Sequence, residues 1–198
     1  MRLFFLFASW RNEATPQGDN NYICKMKTAV LKFGIISGLI FSTMVIIMIL
    51  LEGGSGNFES GQGFNYLFMV GAYSMVFFGI REYRDKKLAG IISFNQAFRT
   101  GLLIVLIGAV FYTATWIIYQ HFIDQDFTTR YTEYMVEQMK SSGKSTEQIN
   151  SEVEAFRKNM AEYNNPATRA VYTFLEIFPL GLLISVLCAL LMKKKVSV

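Results

Sequence analysis

The sequence predicts an all-α integral membrane protein with four transmembrane helices and a periplasmic amphipathic helical hairpin between the third and the fourth. Three observations carry this. Four long runs are nearly free of charge, and each can cross roughly 30 Å of hydrocarbon at about 1.5 Å per residue. The basic residues gather at the ends of those runs. The one sizeable segment outside them repeats its apolar residues at helical spacing. Composition agrees: of 198 residues, 52% are hydrophobic and only 17% charged, against about a quarter charged in a soluble domain. Mean hydropathy is +0.30.

Residues 1–25 read as an N-terminal extension. Arg2 and the run Leu3-Phe4-Phe5-Leu6-Phe7-Ala8 resemble a shortened signal sequence, but the polar stretch 11–21 follows without a convincing processing site. Met26-Lys27 opens like an ordinary membrane-protein start, so translation is expected to begin at Met26, with a disordered cytoplasmic tail as the alternative. Residues 26–198 form one membrane domain.

The first span is expected over 29–51. Gly34 and Gly38 lie four apart with Ser37 beside them, a small-residue face for close helix packing. A glycine-rich connector, 52–63, leads to the second span at 64–80, where Gly71, Ala72, Ser74 and Gly79 are small packing positions. Arg81-Glu82-Tyr83-Arg84-Asp85-Lys86-Lys87 follows, with four bases against two acids. Ser93 is placed to cap a short turn into the third span, 100–120. There Tyr112, Trp116 and Tyr119 fit an aromatic belt at the membrane interface, and His121, the only histidine, falls just past it.

Residues 122–169 are the outer segment. Phe127, Tyr131, Tyr134, Met135 and Met139 recur at three and four, and so do Ile149, Val153, Phe156 and Met160. Between the two sets, Ser145 with Gln148 spells a capping box. Asn164-Asn165-Pro166 ends the pair. The fourth span covers 170–192, holds Glu176, Pro179 and Gly181, and stops at Lys193-Lys194-Lys195.

Thirteen of the nineteen bases belong to the N-terminal segment, the 81–99 region and the C-terminal tail. The positive-inside rule then places both termini and the 81–99 loop in the cytoplasm. The net charge of +4 reflects these anchoring clusters rather than a nucleic-acid surface, since no recognition-helix or zinc-finger pattern accompanies it. Membrane lipids are the partners such clusters imply.

Candidate functional residues are few. Glu176 is a carboxylate inside an apolar run, and an ionisable group at membrane depth is a functional-site hypothesis by default. It is read either as a coupling site or as a structural polar residue, with Pro179 supplying a local break in the backbone. No second acid, arginine or histidine deep in another span offers a relay partner. One histidine and two separated cysteines make no metal set. No nucleophile elbow or membrane metalloprotease motif appears. The sequence therefore predicts no enzyme, no metal and no cofactor.

Four places carry a family resemblance. They are Lys27-Thr28-Ala29-Val30-Leu31-Lys32-Phe33-Gly34 with Ser37-Gly38; Gly79-Ile80-Arg81-Glu82-Tyr83-Arg84-Asp85 with Gly90 and Phe94; the helical stretch from Gly143 to Met160; and the ending from Pro179 to Lys195. From Met26 onward the chain resembles the four-helix membrane proteins grouped as domain of unknown function 4199, found mainly in Bacteroidetes. The loop at Arg81, Glu82, Tyr83, Arg84 and Asp85 is the most specific of the four. The resemblance implies an inner-membrane protein of a Bacteroidetes-type bacterium and brings no activity or substrate. Function is accordingly expected to be non-enzymatic: binding or scaffolding of a membrane or periplasmic partner, or self-association into a homo-oligomer. The alternative is a small transporter or channel component that uses Glu176.

Overall fold

The computed structural model describes the backbone of residues 19–52 and 61–193 and the side chains of residues 26–47 and 68–193. The expectations for residues 1–18, for most of the glycine-rich connector, for the Cys24 side chain and for Lys194 and Lys195 lie outside the described residues. Among the described residues six helices follow one another: α1 (Asp19–Glu52), α2 (Gly61–Lys87), α3 (Phe94–Ile118), α4 (Phe127–Lys140), α5 (Thr146–Tyr163) and α6 (Pro166–Met192). A π-helical turn, Tyr119–Ile123, extends α3.

Capping chemistry sets several of these boundaries. After α2 the chain turns through Ala89 (φ 53°) and Gly90 (φ 84°), and the second position suits a residue without a Cβ. Ser93 then closes a capping box with Gln96 and starts α3. Ser145 and Gln148 do the same for α5. At α6 the Asn165 side chain accepts from the Ala167 N–H at 2.9 Å, and Pro166 occupies the first turn, where its missing N–H costs nothing.

The long helices α1, α2, α3 and α6 form a bundle with α3 against the other three. α1 and α3 run parallel. Gly34 lies under Ile107, Gly38 lies under Phe111, and Ser42 and Thr115 share a hydrogen bond of 2.8 Å between their hydroxyls. α2 returns antiparallel along α1, with Gly79 against Phe33 and the Ser37 hydroxyl donating to the Ala72 carbonyl at 3.0 Å. α6 descends antiparallel to α3, with Ser185 beside Gly101 and Val105 against Gly181. Phe41 sits at the centre, edge-on to Tyr73 at 5.3 Å and to Tyr112 at 5.5 Å. Such edge-to-face pairs contribute about 0.5–1.5 kcal/mol each beyond their buried area.

The structure corrects the expected count of spans. Among the described residues three segments, not four, are long and apolar enough to cross a membrane: Met26–Ile47, Phe94–Ile123 and Pro166–Met192. α2 is the helix that drops out. Its apolar stretch of residues 64–80 is at the lower limit of about 17 residues for a span, and the same helix runs on through Arg81–Lys87. The charged end belongs to the helix itself rather than to a loop between two spans.

The expected periplasmic hairpin falls with that count. Its side of the membrane follows only from alternating four crossings, and three candidate spans do not supply that alternation. α4 and α5 are two packed helices at one end of the bundle, and their sequence alone does not fix which side they face. Boundaries shift as well. The third apolar run is helical from Phe94 rather than entered through a separate turn, and the last helix starts at Pro166.

Candidate functional site

Two polar regions lie at opposite ends of the bundle. At the basic end, Lys32 of α1 meets Glu82 of α2 at 2.9 Å, and Lys86 reaches the same carboxylate at 3.3 Å. The Lys32 hydrogen bond is the main force holding the Glu82 carboxyl below the usual range. Arg84 pairs with Asp85 at 2.7 Å and Arg81 with Asp85 at 3.6 Å. These contacts, the Arg84 hydrogen bond first, hold Asp85 low too. Tyr83 is buried, so the five residues 81–85 divide into a buried anchor and a paired charged rim. Pairs this exposed add little to stability. Only Lys32–Glu82 joins α1 to α2; the other three pairs lie within α2.

At the other end, aromatic side chains join α3 to α4, α5 and α6. The Trp116 indole N–H donates to the Tyr163 hydroxyl at 2.8 Å. Phe127 packs edge-on to Trp116 at 5.2 Å and stacks on Tyr131 at 5.9 Å. Tyr131 in turn reaches Phe156 of α5. Arg169 lies over the Tyr163 ring at 5.4 Å and donates to the Tyr163 carbonyl at 3.3 Å. Beside this, Asp124 accepts from the Tyr119 hydroxyl at 2.9 Å and pairs with Arg130. Tyr112 and Tyr119 are buried against their neighbours.

Glu176 lies on the exposed flank of α6, between Leu175 and Leu180 along the outward side. It forms no ion pair among the described residues. Burial chiefly, and then Glu176, pushes the Tyr131 hydroxyl above its usual range. Pro179 lies within α6 and removes the N–H that would bond the Leu175 carbonyl. Next to it, the Tyr73 hydroxyl donates to the Ile177 carbonyl across the α2–α6 contact.

The three glycines singled out from the sequence differ in their surroundings. A Cβ at Gly34 would meet Ile107 at 2.9 Å and one at Gly38 would meet Phe111 at 2.5 Å, whereas Gly71 has open space around it. Two further glycines are as crowded: a Cβ would sit 2.3 Å from Ile104 at Gly79 and 2.4 Å from Val105 at Gly181. Tyr73 was the other residue to look for: a tyrosine inside the small-residue stretch Gly71-Ala72-Tyr73-Ser74 has room to reach across to a neighbouring backbone.

Two buried polar side chains at the aromatic end have no partner, Thr173 (2% exposed) and Gln120 (3% exposed). Among the described residues no three His, Cys, Asp or Glu side chains converge as a metal-binding group. Cys188 is a free, buried thiol.

The model of the family described as "Protein of unknown function (DUF4199)" matches residues 32–194. The chain belongs to this family. The match takes in the bundle, the charged Arg81–Lys87 end and the α4–α5 pair together, so those features form one family unit. No curated protein and no solved structure matches the chain.

Proposed function

We propose that this family member is a non-enzymatic component of a bacterial inner membrane that binds or scaffolds a membrane or envelope partner through the α4–α5 pair. One observation carries the reading. α5 is an 18-residue helix without a single buried residue, and yet Ile149, Val153, Phe156 and Met160 form one stripe along it. These four are only half-covered. A helix with that pattern ordinarily buries its stripe. α4 covers part of it through the Tyr131–Phe156 contact, and the remainder is apolar surface held rigidly at one end of a membrane bundle.

The membrane setting rests on the three apolar segments and on the placement of bases. Lys27, the Arg81–Lys87 cluster and Lys193 gather at one end of the bundle, with the start of α1 and the end of α6. A Bacteroidetes-type bacterium is the host in which to look.

The test is a pull-down from native membranes after brief crosslinking, with the intact chain beside one in which residues 127–160 are replaced by a flexible linker, both shown to insert at equal levels. A discrete partner captured by the intact chain and lost with the linker supports the reading. Identical capture by both forms, or capture by neither, contradicts it.

A further inference from the structure

We propose that Lys32 of α1 and Lys86 of α2, held together on Glu82, bind the phosphate of an anionic phospholipid whose acyl chains run along the exposed apolar flank of the two helices. The site lies at the opposite end of the bundle from the α4–α5 pair and does not depend on the partner reading.

The geometry starts from one carboxylate oxygen. Glu82 Oε2 accepts from Lys32 Nζ at 2.9 Å and from Lys86 Nζ at 3.3 Å. Ammonium groups from two helices therefore stand within roughly 6 Å of each other, a spacing that oxygens of one phosphate can bridge. Both keep N–H donors for a further acceptor, and their side chains are 49% and 66% exposed. Lys32 is also steadied over the Phe33 ring at 4.8 Å.

The charge there is not balanced from within. Beside the first cluster, Arg81 and Arg84 share Asp85 in the same way, and Lys87 is exposed next to them. Each carboxylate is divided between two bases, and Lys32 with residues 81–87 carries five bases against two acids. A surplus of this sign attracts an anionic headgroup. It gives no advantage to a choline headgroup, whose phosphate is already neutralised by its own ammonium.

Depth and surroundings select a lipid over a soluble anion. Lys32 lies inside the membrane-crossing segment Met26–Ile47, about 9 Å along the helix from its first residue. Phe78, Glu82 and Lys86 follow one another at intervals of four on one strip of α2, and Phe78 is exposed. On α1, Ile35 and Leu39 continue from Lys32 at intervals of three and four and are exposed too. Because α1 and α2 are antiparallel, both apolar strips lead from the basic cluster toward the middle of the bundle. Charge gives way to hydrocarbon surface within about one helical turn, which matches a phospholipid with its phosphate at the lysines. A soluble phosphate would use the charges and leave the apolar strips unused.

The experiment is native mass spectrometry of the full chain released from detergent with equimolar anionic glycerol and zwitterionic choline phospholipids of the same acyl chains. The intact protein is expected to retain the glycerol lipid over the choline lipid by about tenfold, the scale of the attraction of one or two bases near a membrane surface. Lys32→Gln combined with Lys86→Gln is expected to bring that ratio close to one. Lys86→Gln alone leaves the α1–α2 bridge in place, should lower the ratio about threefold, and serves if the double variant does not fold. Lys140→Gln combined with Lys158→Gln removes the same charge from α4 and α5 and should leave the ratio as it is. Millimolar glycerol phosphate, which has the headgroup charge without acyl chains, should leave the bound lipid in place. Displacement by it assigns the site to a soluble anion and overturns the proposal. So do equal retention of both lipids, an unchanged preference in a well-folded double variant, or an equal loss in the α4–α5 control.

Discussion

The indole of Trp116 donates a hydrogen bond to the hydroxyl of Tyr163 at 2.8 Å, which fastens the last turn of α5 to the end of α3. It is a polar link in a largely aromatic joint that includes Phe127 and Tyr131. Tyr163→Phe removes the hydroxyl and leaves the ring, at a cost of about 0.5–1.5 kcal/mol. The cost should appear locally. Amide exchange across 127–163 is expected to rise several-fold, while exchange in α1 and α3 stays as it is.

Gly181 and Gly71 make a matched pair of tests. An alanine methyl at Gly181 would lie 2.4 Å from Val105 and 2.7 Å from Tyr73, whereas at Gly71 it meets nothing within 4 Å. Gly181→Ala is therefore expected to destabilise the bundle by about 1–3 kcal/mol through overpacking. Gly71→Ala should be neutral or slightly stabilising, because it removes backbone freedom from a helical position. Thermal unfolding of both variants in one detergent gives the comparison.

Much of this architecture was legible in the sequence, for reasons that can be traced to particular residues. Ser145 and Gln148 give a capping box both by spacing and by geometry, because that motif is a local hydrogen-bond solution. The apolar runs of α1, α3 and α6 are set by composition alone. What escaped depends on tertiary contacts or on context. Residues 64–80 look like a span in isolation, but the helix that holds them does not stop before Arg81. The π-helical turn at Tyr119–Ile123 has no sequence signal, since π geometry follows from packing at that end. Tyr112 and Trp116 look alike as belt residues, and only the tertiary packing, with Phe41 edge-on to Tyr112, shows that Tyr112 is the more deeply buried.

The basic end carries a pH prediction. Glu82 has its carboxyl held low, chiefly by Lys32. A group lowered in the folded state contributes stability above its unfolded pKa of about 4.3 and loses it as pH falls through the lower folded value. The unfolding temperature of the intact protein should therefore fall as pH is taken from 5 toward about 3. The Glu82→Gln variant should show a shallower fall. The difference should shrink in high salt, because Lys32 is about half exposed.

The α1–α3 seam gives a stricter test of parallel packing. A Cβ at Gly38 would meet the Phe111 ring at 2.5 Å, so Gly38→Ala should destabilise by about 1–3 kcal/mol. Trimming the opposing side chain with Phe111→Leu should recover part of the loss. A double-mutant cycle in detergent would read that coupling directly, and independent effects would exclude the contact.

The central claim is that the α4–α5 pair presents a partner-binding surface, and site-specific photo-crosslinking in the native host tests it most directly. A photoreactive residue replaces Phe156 on the half-covered stripe of α5 or, as a control, Leu183 on the exposed side of α6. The account predicts a discrete protein adduct at position 156 that disappears with Val153→Glu, and lipid adducts at position 183. Lipid adducts at both positions, or no change on Val153→Glu, would contradict it.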